Sequence, residues 1–443
     1  MASDYAIGKQ ALPNKSNNKR APYFISWLIC SMGAVYYCYE YFLRISPSVM
    51  TTELMKAYNL TGAQVGSLSA FYYHSYVPMQ ILVGLLMDRF GPRRLLTFAC
   101  LCCAFGTYLF AGGGSLGLAQ TGRFLVGLGS AFAFVGALKL ATIWLPPNRF
   151  ALISGIVLCL GMIGAMVGDI LLQTTVHALG WKETIYGSAA VGIVLSVILW
   201  AIIRDVNPYT VGEHTHLTTF KGLLRGLFKA LKNPQIWLNG IVGFLLYISL
   251  SAFAELWGIS YLTQAHHLTK AHAAQANSMI FLGWAVGGPF WGWFSDYIGL
   301  RCLPMILSSA VAFILVCILL YADMLSIPMI YLLLFAFGLM SSVQILVFAI
   351  CHEVSSIRIT GTAIALTNMF VMVGGNVFQP IIGKLLDLQW SGAMVEGART
   401  YSVTAYKLSL TVMPVAIILA IILIFFMRET YCKVSGDHGH HPD

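Results

Sequence analysis

Gly84-Leu-Leu-Met-Asp88-Arg89-Phe-Gly91-Pro-Arg93-Arg94 closes one apolar run of this chain, and Gly292-Trp-Phe-Ser-Asp296-Tyr-Ile-Gly299-Leu-Arg301 closes another. Gly84 and Gly292, Asp88 and Asp296, Gly91 and Gly299, and Arg93 and Arg301 each lie 208 residues apart. One such segment is a tight turn beside positive charge. Two at a single offset are an internal repeat, and they divide the chain into equivalent halves. Glycine lets helices approach closely, the aspartate pairs with arginine or a helix N-terminus, and the arginines face anionic lipid. We therefore expect Gly84, Asp88, Arg89, Gly91, Arg93 and Arg94, with Gly292, Asp296, Gly299 and Arg301, to act as conformational latches.

The sequence around these loops is apolar. Of 443 residues, 58% are apolar and only 10% charged, against about 45–50% and about 25% in soluble domains. That excludes an ordinary soluble enzyme, a disordered chain and a disulfide-stapled domain. Runs long enough to span a bilayer recur twelve times, from Tyr23–Ser46 to Ala405–Met427. They are too long and continuous for barrel strands. The predicted fold is an all-α polytopic membrane protein: twelve transmembrane helices in two pseudo-symmetric six-helix bundles. Residues 1–22 form an N-terminal tail, 23–203 the first bundle, 204–234 a linker, 235–427 the second bundle and 428–443 a C-terminal tail. Within the linker, Phe220–Leu231 places Lys221, Arg225 and Lys229 at four-residue spacing among leucines, as in an amphipathic helix lying on the membrane.

Lysine and arginine set the orientation. With both termini cytoplasmic, 17 of the 26 fall on the inner side, six on the outer side, and three (Arg44, Arg123 and Lys139) within spans. The net charge of +9 is thus a topology signal, not a nucleic-acid surface. The ten cysteines follow no metal or disulfide spacing. No GxxxxGK[ST] motif and no catalytic constellation such as HExxH occurs in the sequence.

The two loops resemble the GxxxDRxGxRR motif of the major facilitator superfamily. The first copy matches at every defined position, whereas the second has Cys302 at the last. Arg123-Phe-Leu-Val-Gly127-Leu-Gly129 is similar to that family's RxxxGxG motif, which groups Arg123 with the latches. The resemblance covers essentially the whole chain and implies a carrier working by alternating access. Span five carries Gly161, Gly164 and Gly168 without the Gly-Pro kink of the superfamily's drug/proton antiporters, which disfavours an exporter.

An ionisable group inside a span costs about 2.5–3.5 kcal/mol unless paired or wetted, so each is a candidate for function. In Tyr36-Tyr37-Cys38-Tyr39-Glu40-Tyr41-Phe42-Leu43-Arg44, Glu40 and Arg44 share a helix face flanked by Tyr37 and Tyr41. Tyr41-Phe-Leu-Arg44 resembles the Tyr-x-x-Arg element of the superfamily's anion/proton symporters. The expected solute-binding residues are Tyr37, Tyr41, Arg44, Lys139, Gln344 and Asn368. The expected proton-coupling residues are Glu40, Asp169 and Glu255. His74 reads as a hydrogen-bonded core histidine. Asn59-Leu-Thr61 matches a glycosylation sequon.

The expected activity is secondary transport of a small anionic or zwitterionic solute: an organic acid, an amino acid or peptide, or a polycarboxylate siderophore. The expected driving force is a proton gradient across a bacterial inner membrane. The chain is expected to be non-enzymatic and monomeric, to need no cofactor or metal, and to partner only solute, protons and lipid. Two rival readings are a proton-driven drug or metabolite exporter and a non-transporting sensor on a carrier scaffold.

Overall fold

The computed structural model describes residues 23–112, 114–145, 150–206, 220–322, 325–355, 359–395 and 397–433. The tail 1–22, linker residues 207–219 and the histidines of 434–443 lie outside them. The helices are α1 (Tyr23–Val49), α2 (Thr51–Tyr58), α3 (Gly62–Phe90), α4 (Pro92–Gly112), α5 (Leu116–Ser130), α6 (Ala133–Trp144), α7 (Phe150–Leu179), α8 (Trp181–Ile202) and α9 (Phe220–Leu231). They continue with α10 (Pro234–Leu246), α11 (Gly258–Ala265), α12 (Lys270–Ile298), α13 (Cys302–Tyr321), α14 (Ile327–Ser341), α15 (Leu346–Val354), α16 (Thr360–Leu388), α17 (Val403–Leu410) and α18 (Val412–Ile424). A π-helical segment, Ser249–Trp257, joins α10 to α11, and a 3₁₀ turn, Ser342–Ile345, joins α14 to α15. One hairpin, β1 (Met394–Val395) with β2 (Ala398–Arg399), precedes α17.

Among the described residues, nine helices are long and apolar enough to cross a membrane by length and composition. The remaining long helices, α1, α3 and α12, fall short because they carry polar residues inward. These include Glu40, Arg44, Gln80 and Asn277, all buried. Large apolar side chains such as Phe98, Val191, Leu332 and Phe425 are exposed on the exterior, as a surface in contact with lipid requires.

Local signals explain the joints. Gly91 (φ 80°) and Gly299 (φ 69°) end α3 and α12 in conformations that favour glycine, so the repeated loops are helix stops. Asn59 ends α2 in the left-handed region, and Thr61 opens α3 with a capping box to Gln64. The sequon residues therefore have a structural task. The linker helix α9 is present but does not lie free on a membrane surface. Its Leu227, Ala230 and Leu231 pack with Ile236, Cys351, Ala363 and Leu366 at the end of the second bundle. Leu224 and Phe228 remain exposed.

We call the end carrying Asp88 and Asp296 the loop end. Contacts across the bundles concentrate at the opposite, far end. There the first turn of α3 meets the last turn of α16, and a Cβ on Gly62 would sit 2.9 Å from the Gly383 carbonyl oxygen. A Cβ on Gly66 would collide with the backbone of Gln379 and Pro380. The Gly62 and Ala63 amides donate to the Asp387 carboxylate at 2.9 and 2.8 Å. The Tyr401 hydroxyl donates to the same carboxylate at 2.6 Å. Burial and the Asp387 charge hold the Tyr401 phenol well above its usual value, so it remains a donor. Lys270 pairs with Glu53 at 2.6 Å across the bundles. At the loop end, by contrast, a Cβ on Gly84 or on Gly292 would meet nothing within 4 Å. The close helix approach expected at those two glycines is absent.

A buried charged cluster as candidate functional site

Arg44 sits at the centre of the molecule, 2% exposed. Its Nε and Nη2 donate to Glu40 Oε1 at 2.9 and 2.6 Å, the i,i+4 pairing anticipated from sequence. Its Nη1 lies 3.8 Å from Glu255 Oε1 on the π-helical segment of the second bundle. One guanidinium thus faces a carboxylate from each bundle. Tyr72 donates to Glu40 and Tyr73 to Glu255. Tyr247 donates to Glu255 at 3.2 Å and accepts from Arg44 Nη1 at 3.3 Å. The guanidinium carbon stands 4.2 Å from the Tyr41 ring centroid, a cation–π contact. Glu40 Oε2 has no partner.

Two backbone irregularities position this cluster. Pro47 lies inside α1 and cannot donate to the Leu43 carbonyl four residues earlier. Arg123 supplies donors instead, from Nη1 to Leu43 O at 3.0 Å and from Nη2 to Arg44 O at 3.2 Å. Arg123 is therefore a brace for α1 beside Arg44, not part of a loop-end latch. The second irregularity is the π-helical segment. Its Ser251 carbonyl accepts from Gln379 Nε2 at 2.7 Å, and Trp257 Nε1 donates to the Gln379 carbonyl at 3.0 Å. These bonds fix the segment that carries Glu255 against α16.

The other expected site residues are distributed differently. Lys139 does not join the cluster: its Nζ donates to Asp88 Oδ1 at 2.8 Å, near the loop end. In this conformation its ammonium is held by that carboxylate and not by the groups around Arg44. Tyr37 packs edge-on against Tyr41 and tilted against Phe134, in an aromatic layer rather than on Arg44. Asp169 is fully buried on α7, accepting from Asn277 Nδ2 at 2.7 Å and Ser48 Oγ at 3.4 Å. Asn368 Nδ2 donates to Gln80 Oε1 at 2.8 Å across the bundles, on the loop side of the cluster. Gln344 is buried on the 3₁₀ turn with its Nε2 unpartnered. His74 faces outward, its ring bonded to the Ala70 carbonyl, so it is not a core histidine.

Each loop latch closes within its own bundle. Asp296 and Glu353 both pair with Arg301, at 2.7 and 2.6 Å. Burial opposes the charge of Arg301, but these two carboxylates carry it above its ordinary range. Arg93 donates to the Trp200 carbonyl at 3.0 Å and its guanidinium lies over the Trp200 ring. The Arg93 amide donates to Asp205 at 2.7 Å. Arg89 lies near its neighbour's Phe90 ring, and Arg94 is exposed.

The sequence reading missed Tyr72, Tyr73, Tyr76, Tyr247, Gln80, Asn277 and Asp387. A signal existed for the first three. Phe71-Tyr72-Tyr73-His74-Ser75-Tyr76 puts three tyrosines in mid-span, where a buried phenol requires a partner.

Two repeated helical bundles meeting at a buried, charged, mid-depth cluster are the architecture of a secondary transporter. The chain belongs to the Major Facilitator Superfamily, whose family model matches residues 28–379. It is 25% identical over 288 residues to a probable sulfoacetate transporter of Cupriavidus necator, a match spanning 61% of this chain and 65% of that relative. It is 22% identical over 405 residues to a probable galactarate/D-glucarate transporter of Escherichia coli, covering 83% and 89% of the two chains. Its fold resembles the crystal structure of a bacterial homolog of the human lysosomal transporter Spinster in its inward-facing, unoccupied conformation. That likeness has a TM-score of 0.73 at 14% identity and covers 92% and 98% of the chains. The protein is a multi-pass integral membrane transporter of this superfamily.

Proposed function

We propose that this chain is a proton-coupled carrier of a small organic anion, and that Arg44 is the residue which binds it. The supporting observation is the sharing of Arg44 by Glu40 and Glu255. Arg123 gives Nη1 and Nη2 to backbone carbonyls and is not ion-paired with either carboxylate, so Glu40 and Glu255 both face the Arg44 guanidinium. An incoming carboxylate or sulfonate adds a further negative charge to a cluster whose Arg44, Glu40 and Glu255 are buried. Such a site accepts the anion only with a proton to balance it. The looser carboxylate, Glu255, is the one displaced from Arg44, and it takes the proton. Glu40, bonded through two nitrogens, keeps the guanidinium oriented. The reverse sequence on the other side of the membrane releases both. Asp169, bridged to Asn277, is a second carboxylate whose protonation state bears on the contact between bundles.

The named substrates of the two relatives, sulfoacetate and galactarate or D-glucarate, are small organic anions and support this class. We take the loop end as cytoplasmic in a bacterial inner membrane, with both termini inside, so that the described conformation is inward-facing. Units 23–203 and 235–427 then rock as near-rigid bodies about the cluster, joined by 204–234, in a monomer. Gln80 and Asn368, bonded to each other across the bundles on the loop side of the cluster, and the buried Gln344 are on this reading contacts of the solute.

The test is transport in proteoliposomes with sulfoacetate and D-glucarate as probes. Arg44→Gln is expected to abolish binding of the anion that the wild type accepts. Glu255→Gln is expected to retain counterflow exchange and to lose accumulation driven by a pH gradient. Accumulation that persists in Glu255→Gln removes that residue from coupling, and binding that persists in Arg44→Gln removes the anion assignment.

A further inference from the structure

The sequence places six lysines and arginines on the side opposite the loops, against the trend of the other charges. The structure brings two of these six, Lys270 and Arg399, to the wall of one far-end cavity of about 100 Å³. That is room for about three waters or one small oxyanion. The N-terminal bundle contributes Ser48, Thr51 and Thr52, and the C-terminal bundle contributes Thr263, Lys270, Arg399 and Tyr401. None of its lining residues, among those described, is a carboxylate.

Both cations are steadied from outside the cavity. Glu53 holds Lys270 at 2.6 Å. Asp387 lies 3.4 Å from Arg399 Nη1, and the Trp390 ring lies 4.0 Å from its guanidinium carbon. Each keeps further N–H donors, since an ammonium has three and a guanidinium five. The hydroxyls of Ser48, Thr51, Thr263 and Tyr401 already donate to the Ile45, Pro47 and Ile259 carbonyls and to Asp387, so the two cations, with no carboxylate on the wall, are what favour a small oxyanion.

We infer that this cavity is a second anion site, separate from Arg44, which takes a small oxyanion between Lys270 and Arg399. Its walls come from both bundles, so an anion held there ties the far end closed. Under the orientation proposed above, it responds to anions in the external medium and holds the carrier inward-facing.

The experiment is thermal unfolding of the purified full chain in sulfate against chloride at matched ionic strength. Sulfate stabilises many proteins by exclusion from their surface, so the diagnostic is a saturable response that depends on these two residues. We expect sulfate to raise the wild-type midpoint saturably. Lys270→Gln with Arg399→Gln is expected to raise the half-saturating concentration at least tenfold. Lys270→Arg with Arg399→Lys is expected to preserve the response, which separates charge from general damage. Because Lys270 and Arg399 are not buried, the single glutamine variants carry the same test if the double variant does not fold. Arg44→Gln is expected to keep the sulfate response while losing solute binding, so the two proposals fail separately. The inference is overturned if wild type shows no saturable difference, if the glutamine variants respond like wild type, or if Arg44→Gln alone abolishes the response.

Discussion

Asp387→Asn tests whether the far end is held shut by a carboxylate on a helix N-terminus. In the described conformation Asp387 Oδ1 accepts from the Gly62 amide at 2.9 Å and from Tyr401 at 2.6 Å, while Oδ2 accepts from the Ala63 amide at 2.8 Å. An asparagine oxygen replaces only one of these positions. Its amide group then turns an N–H toward the N–H of Ala63 or Gly62. One charge-assisted bond is lost, at about 1.5–3 kcal/mol. The favourable charge on the first turn of α3 goes as well, at about 0.3–1 kcal/mol. The Gly62 and Ala63 bonds join helices of different bundles, so their loss falls on the closed far end and not on the open one. A cost of about 2–4 kcal/mol shifts the ratio of open to closed far ends by about 30-fold to several hundred-fold. The readout is labelling of Ala70→Cys by a membrane-impermeant maleimide, with the same protein lacking that cysteine as background. Ala70 lies on the stripe of α3 that carries Gly62, Gly66 and Tyr73, and it is 1% exposed. We expect labelling from the far side to rise at least tenfold in Asp387→Asn. A folded Asp387→Asn protein that labels within twofold of its parent refutes the reasoning, because the carboxylate then contributes nothing to closure.

Gly66→Ala is expected to open the far end by a different route, since its Cβ meets immovable backbone of Gln379 and Pro380. The same Ala70→Cys labelling measures it. Arg123→Lys is expected to lower stability by about 1–3 kcal/mol, because one ammonium cannot reproduce a fork that serves two carbonyls. Pro47→Ala is expected to recover part of that loss by restoring a donor to Leu43, and unfolding midpoints of the single and double variants check this. Lys139→Ala is expected to slow turnover with little change in KM, and to show no added effect in combination with Asp88→Asn. A large rise in KM returns Lys139 to the solute path.

The parts of this molecule that were legible in sequence are those written in local pattern. The helical membrane character, the repeat at Gly84 and Gly292, and the Glu40–Arg44 pairing depend on composition or on spacing along the chain, and these are what a sequence displays. The contact between Arg44 and Glu255 depends on how two bundles 211 positions apart dock, and nothing in either segment specifies it. Lys139 shows the same limit from the other side. Its depth along span four was readable, but its partner Asp88 sits on another helix and decides its role. The far-end closure was illegible for a third reason. Gly62, Gly66 and Gly383 read as ordinary small residues of membrane helices, and Asp387 reads as an interfacial acid. They acquire meaning only when α3 and α16 approach to backbone contact.

Regular helices consume their own backbone hydrogen bonds and offer a solute only side chains. Irregular backbone in a membrane is tolerated where protein or a wetted cavity satisfies the freed groups. In this chain three irregularities carry or adjoin candidate site residues. Pro47 frees a carbonyl in α1, the π-helical segment carries Glu255, and the 3₁₀ turn carries Gln344. Each break also ends the straight stretch of a helix that must reorient between states. The charged cluster therefore lies where the helices are least able to remain regular. On the mechanism proposed above, exchange of an anion for Glu255 on Arg44 would alter the contacts that hold those breaks and give chemistry at the cluster mechanical leverage on the bundles. Arg123 is consistent with this view, since its guanidinium ties the break in α1 to α5 next to the cation that binds. On that proposal the carrier needs no separate transmission element between its binding site and its moving parts, because Arg44 and Glu255 would belong to both.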